Sequence, residues 1–241
     1  MKHAIALLVG LLLCWQLLYW GVGEIAFRSP WETIRFTAGL LGSDRFWPHL
    51  LETSKAFALA LALSVAIGLP LGALLGLNRA ARAVFEPMLV SSYAIPKITL
   101  YPILLLMFGL GISAKIAFGV IHGVIPIALF TLGAVRQIKP VLLKTGRVMG
   151  LGPWEMGWRV LLPATMPEIF AGLRIGFSLT LIGTLLGEMF ASQRGLGFLL
   201  MNAIGLHNVD LIMALTLLLA GFAGAASWAL LVIGRRVGDG T

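Results

Sequence analysis

An all-α fold embedded in a membrane is the class this sequence predicts, and three observations carry it. Hydrophobic residues fill 59% of the 241 positions and charged residues only 12%, where soluble domains carry about 25% charge. Apolar windows of about 20 residues without Asp, Glu, Lys or Arg recur along the chain, and that is the length a helix needs to cross hydrocarbon. The windows are continuous rather than alternating, which fits helices and not the short alternating strands of a membrane barrel.

The first window, Ala4 to Gly23, follows Lys2. It has no small-residue cleavage site, and Leu13 before Cys14 suits a lipoprotein signal poorly, so it reads as a retained span. Cys14 is the only cysteine, which excludes an intramolecular disulfide. Residues 24–51 mix charges with Trp31, Phe36, Phe46 and Trp47. Such a stretch reads as a periplasmic interfacial segment whose aromatics sit at headgroup level.

The second span is Ala56 to Asn78, where Gly68, Gly72 and Gly76 recur every fourth residue and share one helix face. The third, Pro87 to Ala114, is broken by Pro96, Lys97 and Pro102. Ile116 to Val135 forms the fourth. The fifth, about Ile169 to Phe190, holds Arg174 near one end and Glu188 near the other, and repeats the small-residue spacing at Gly172/Gly176 and Gly183/Gly187. Leu211 to Gly234 is the sixth. About six spans result, divided into a first helix (1–23), the interfacial segment (24–51) and a core (52–241). Glycine stripes of this kind predict close helix–helix packing.

The chain carries a formal charge of +8, which in a soluble protein would suggest a nucleic-acid partner. Here the charge has a location. With the N-terminus inside, the cytoplasmic segments hold Lys2, Arg79, Arg82, Arg136, Lys139, Lys144, Arg147, Arg159, Arg235 and Arg236. The opposite side holds chiefly Arg28, Arg35, Arg45 and Arg194. This bias places both termini in the cytoplasm and accounts for the basic charge without nucleic acid.

The longest cytoplasmic connection, 136–168, keeps helical apolar periodicity between Val141 and Leu162, so it is a structured loop. Lys144-Thr145-Gly146, then Gly150, then Val160-Leu161-Leu162-Pro163 match the spacing EAA, three residues, G, nine residues, I-x-L-P. Leu50-Leu51-Glu52-Thr53, Ala94-Ile95-Pro96-Lys97, Phe108-Gly109-Leu110-Gly111, Pro167 to Arg174 and Gly195-Leu196-Gly197 fit the same pattern. From about Pro48 onward the chain thus resembles the permease subunits of binding-protein-dependent ABC importers, closest to the sulfonate, taurine and nitrate branch. That branch also serves thiamine-precursor, riboflavin and aromatic-acid importers.

The resemblance implies a type I ABC importer permease fold in a bacterial inner membrane. It further implies a second permease copy, two cytoplasmic ATP-binding subunits holding ATP and Mg, and a periplasmic or lipid-anchored substrate-binding protein. No cofactor is expected on this chain. A coupling helix containing Lys144, Thr145 and Gly146, with Gly150 at a sharp turn and Val160, Leu162 and Pro163 leading into the fifth span, would dock on the ATPase. Lys144 stands where the family has Glu, so a carboxylate contact to an ATPase cation does not carry over.

Ionisable residues inside spans are costly and face a cavity or a partner. The candidates for the translocation path are Ser92, Tyr93, Lys97 and Thr99 around the break in the third span, together with His122 and Glu188. Lys97 either meets an anionic solute, snorkels, or pairs with Glu188 or backbone carbonyls. There is no phosphate-binding loop of the GxxxxGK[ST] type, and no His/Cys/Asp cluster with metal spacing. A secondary transporter would need an internal repeat or a coupled ion site. An intramembrane enzyme would need a clustered nucleophile and base. Neither pattern is visible.

Overall fold

The computed structural model describes residues 2–238, and every regular element among them is helical. Met1 and residues 239–241, assigned above to the first span and the core, lie outside the described residues. Helix α1 spans Lys2–Val22. Its Trp15 indole N–H donates to the Arg28 carbonyl at 2.9 Å, which fixes the turn into α2, Pro30–Leu41. A capping box starts α2: the Glu32 N–H donates to Ser29 Oγ, the Ser29 N–H donates to the Glu32 carboxylate, and Pro30 fills the first turn.

Helix α3 spans Trp47–Leu77, so it begins well before Ala56 and runs through the expected boundary at residue 52. The misjudgement has a physical cause. A window free of charged residues begins only after Glu52 and Lys55, although Leu50 to Thr53 was already matched to this span; the Glu52 and Thr53 side chains are bonded inside the protein, as described below. Helices α4 (Arg79–Ala94) and α5 (Tyr101–Phe108) are joined through a 3-10 turn, Lys97–Leu100, and bent by 90°. Pro96 causes the break, since the residue before a proline avoids helical geometry and Ile95 is extended with ψ 131°.

Helix α6 spans Ile112–Arg136 and α7 spans Pro140–Val148. Helix α8 (Pro153–Met156) passes through a π turn, Gly157–Leu161, into α9 (Leu162–Ala191). Helices α10 (Leu196–Gly205) and α11 (Val209–Gly238) complete the order. Four helices are long and apolar enough to cross a membrane, and the bent pair α4–α5 makes a fifth. Over its described apolar stretch, Val9–Val22, α1 is shorter than the others, so the structure carries up to five of the six expected spans.

The core is a three-helix slab with α6 between α3 and α9, and glycine makes the approach possible. A Cβ on Gly68 would lie 2.8 Å from Ile127, and one on Gly76 would lie 2.7 Å from Val135. At Gly72 it would collide with the Ala128 carbonyl and come within 2.7 Å of Thr131 Cβ. From the other side, Gly172 meets Phe130, Gly176 meets Ile127, and Gly183 meets Phe118 and His122. With no hydrophobic drive between helices in lipid, this close van der Waals contact is what holds the slab. Gly72→Ala should therefore destabilise the protein by about 1–3 kcal/mol, because the neighbour that must move is backbone. Thermal unfolding in detergent reads this out against Gly221→Ala, whose added methyl meets nothing within 4 Å.

Candidate coupling segment, translocation path and buried ion pair

Helix α7 is closed by a Schellman turn. The Leu151 N–H donates to the Gly146 carbonyl at 3.1 Å and the Gly150 N–H to the Arg147 carbonyl at 3.0 Å. Gly150 sits at φ +71°, a left-handed conformation that glycine adopts without penalty. Gly146 is buried, and a Cβ there would lie 2.7 Å from the end of the Met156 side chain, so α7 and α8 meet over this position. Lys144 is exposed and joins no ion pair among the described residues. Thr145, Val160 and Pro163 line a groove of about 390 Å³ with Leu142, Met149 and Arg159.

At and beside that groove the segment also exposes apolar side chains among its charges. Val148, Met149, Trp154 and Trp158 are all exposed, Val148 at 88% and Trp154 at 76%. Pro163 stands in the first turn of α9 and leads into the fifth span as expected, although no break separates that span from α8. The helix is continuous from Pro153 to Phe190, because a proline one residue into α9 is tolerated and the π turn at Gly157–Leu161 absorbs the change in hydrogen bonding. Leu162 is thus the first residue of α9, and movement at Trp154 can reach the far end of that helix without a loop between.

At the bend between α4 and α5, Tyr93 and Thr99 are exposed and Ser92 and Lys97 are half-buried. The Lys97 ammonium donates to the Tyr93 carbonyl at 3.2 Å and lies 5.3 Å from the centre of the Tyr93 ring. It has no carboxylate partner among the described residues. His122 is turned inward: its Nδ1 lies 2.8 Å from the Phe118 carbonyl, and its ring covers Gly183 of α9. Arg174 is half-buried, and Ser178 Oγ donates to its carbonyl.

For Glu188 the sequence left two roles open, lining the path or packing the segment 191–200, and the structure shows the second. The residue does not line a path; it is 0% exposed and joins four elements. Thr53 Oγ1 of α3 donates to its carboxylate at 2.8 Å, and the Gly197 N–H donates to it at 2.9 Å. The Lys115 ammonium of α6, itself 1% exposed, lies 3.8 Å away. Lys115 also donates to Glu52 at 3.0 Å and to the Arg194 carbonyl at 2.8 Å. Thr53 Oγ1 in turn accepts from the Leu196 N–H at 2.7 Å, and His49 Nδ1 accepts from the Gly195 N–H at 3.1 Å.

Helix α10 begins at Gly195 with no side chain to cap it. Its first N–H groups are therefore satisfied from α3 and α9, and the buried carboxylate faces the positive end of the α10 dipole. Glu52 and Thr53 were noted only as part of the Leu50–Thr53 match, and Lys115 and His49 escaped the sequence reading, Lys115 because it fell just outside the apolar window begun at Ile116. The available signal was an unpaired Glu188 in one span and a lysine at the edge of another, which needed a partner each. The cluster lies some 26 residues along α9 from Leu162, roughly 39 Å at helical rise. That exceeds the hydrocarbon thickness of about 30 Å, so the cluster and the coupling segment occupy opposite sides of the membrane.

Comparison with known proteins agrees with this architecture. Residues 68–238 match the family described as binding-protein-dependent transport system inner membrane component. The chain is 26% identical to the taurine transport system permease protein TauC of Escherichia coli K12, covering 98% of this chain and 90% of that one. It is 33% identical to a probable ABC transporter permease protein of Haemophilus influenzae (90% and 89% covered). It is also 33% identical to the formylaminopyrimidine transport permease protein ThiX of Halalkalibacterium halodurans (78% and 75%). A chain of the MetNI methionine ABC transporter in inward-facing conformations shares the fold, with TM-score 0.69, 22% identity and coverage of 81% of this chain and 99% of that one. The chain belongs to the binding-protein-dependent inner membrane components: it is the permease subunit of an ABC importer, a non-enzymatic, multi-pass inner-membrane protein that works with a partner ATPase and a substrate-binding protein.

Proposed function

We propose that two copies of this chain form the path for a small anionic solute of the sulfonate, taurine, nitrate or aromatic-acid type. A periplasmic or lipid-anchored binding protein delivers the solute, and two cytoplasmic subunits holding ATP and Mg drive the cycle. The observation that carries the anionic reading is Lys97. It stands at a break in a membrane-spanning element, among Ser92, Tyr93 and Thr99, bonded to the Tyr93 carbonyl and over its ring, with no carboxylate partner among the described residues. A cation left without a carboxylate at membrane depth has a use when an anion passes. The taurine permease aligned over nearly the whole chain supports the same solute class, as does a putative aliphatic sulfonates permease of Bacillus subtilis, 24% identical over 78% of this chain.

Uptake of radiolabelled taurine in cells where this importer is the sole route tests the reading. Lys97→Ala should lower uptake by about tenfold or more, the worth of one charge-assisted contact, while Lys97→Arg keeps most of it. Equal uptake by wild type and Lys97→Ala would contradict it. A thiamine-precursor or riboflavin-like heterocycle is the second reading, favoured by the higher identity to the formylaminopyrimidine permease. In that case formylaminopyrimidine is taken up and taurine is not.

The ATPase-docking surface is the exposed face of α7 and α8. Val148, Met149, Trp154 and Trp158 supply apolar anchors, and the Gly150 turn sets the angle between the two helices. Such aromatic anchors dominate the energetics of interfaces. Lys144 at the rim offers a cation where relatives of the EAA pattern offer a carboxylate, so the matching ATPase surface carries an acid.

A further inference from the structure

An apolar slot of about 380 Å³ lies between α2, α3, α9, α10 and α11, on the same side of the membrane as the Glu188 cluster. Its walls are Leu41, Phe46, Leu50, Phe57, Leu218 and Phe222, with the Thr53 and Ser54 hydroxyls as its chief polar groups. From Phe46 to Phe57 the slot follows α3 for about 16 Å at helical rise, which makes it long rather than round. Protein interiors are close-packed, and an apolar void of this size forfeits the contacts of every atom that lines it. Five elements of this chain already enclose the slot.

The surroundings identify the occupant. Trp47 sits at the shallow end, its indole N–H donating to the Leu41 carbonyl at 3.1 Å while its ring is half exposed. With the exposed Trp31 it marks the headgroup level. Arg45 is exposed and directly precedes the wall residue Phe46 in the chain. Below that level the medium around the protein is hydrocarbon. We infer that the slot is a lipid site: one acyl chain of a membrane glycerophospholipid enters beside Phe46 and reaches Phe57 and Phe222, with its phosphate held at Arg45.

The site has a second face. Thr53, in its wall, bonds the Glu188 carboxylate, and Leu196, also in its wall, donates its N–H to Thr53. A bound acyl chain therefore backs the cluster that holds the α9–α10 connection, and its loss loosens that connection.

The permease purified with its ATPase, delipidated in detergent and titrated with dioleoyl phosphatidylglycerol, tests this by native mass spectrometry and thermal unfolding. Wild type should retain one lipid per permease chain and gain several degrees in Tm on adding it. Ser54→Phe and Leu218→Trp, each filling the slot, should lose that lipid and the gain, and their delipidated Tm should not fall below wild type. Arg45→Ala should weaken retention of the phosphatidylglycerol by about tenfold while dioleoylglycerol, which lacks phosphate, binds wild type and Arg45→Ala alike. Equal retention by wild type and both filled variants would mean surface lipid only and overturns the inference. So does wild type that holds no lipid, or filled variants whose pairing with a second permease copy is lost instead.

Discussion

Glu188→Ala should cost the protein about 3–5 kcal/mol, the range for breaking a buried ion pair by removing one partner. The substitution removes the acceptor for the Gly197 N–H and for Thr53, and leaves the buried Lys115 ammonium with Glu52 as its sole acid. The effect should be local before it is global, since the α9–α10 connection loses its anchor while the glycine contacts of α3, α6 and α9 stay in place. Glu188→Gln keeps one acceptor oxygen for the Gly197 N–H and should recover part of the loss. Thermal unfolding in detergent ranks the three proteins, and limited proteolysis locates the weakness at residues 192–197. A Glu188→Ala protein as stable as wild type would mean that the carboxylate is a passenger in the packed slab.

Gly150→Pro should abolish association with the ATPase while Gly150→Asn retains most of it. Proline cannot adopt φ +71° and has no N–H to give the Arg147 carbonyl, so the Schellman turn between α7 and α8 is lost. Asparagine tolerates the left-handed region better than other side chains and keeps the N–H. Co-purification of the ATPase with each variant, at matched membrane expression, reads the difference. Retention by Gly150→Pro would show that docking does not depend on the turn. Loss in both variants would show that position 150 tolerates no side chain at the interface.

The fold class and helix order were legible because membranes impose a simple rule: apolar runs of fixed length must be helical. Helix packing was legible through Gly68, Gly72, Gly76, Gly172 and Gly176, because small residues at fourfold spacing have few other uses in a span. The start of α3 was legible only through the Leu50–Thr53 match, since Glu52 and Lys55 interrupt the apolar window and the groups that bond Glu52 and Thr53 lie far off in the chain. Glu188 was singled out as ionisable within a span, but its role depended on Lys115, 73 positions earlier in the chain, and pairing across that separation is decided by tertiary packing. Pro163 was legible for a local reason, since a proline in the first turn of a helix breaks nothing; the continuity of α8 into α9 through the π turn was not. The bend at Ile95–Pro96 was visible as an interruption, though its 90° angle was not.

The central claim is that this chain couples a partner ATPase to a substrate-binding protein across the membrane. Its most direct test is ATP hydrolysis by the complete wild-type transporter in lipid, measured with and without the solute-loaded binding protein. Hydrolysis that rises severalfold when the loaded protein is added, in wild type and in a complex carrying Gly150→Asn, is the predicted result. Hydrolysis indifferent to the binding protein, or a permease that transports without any ATPase, would contradict the account.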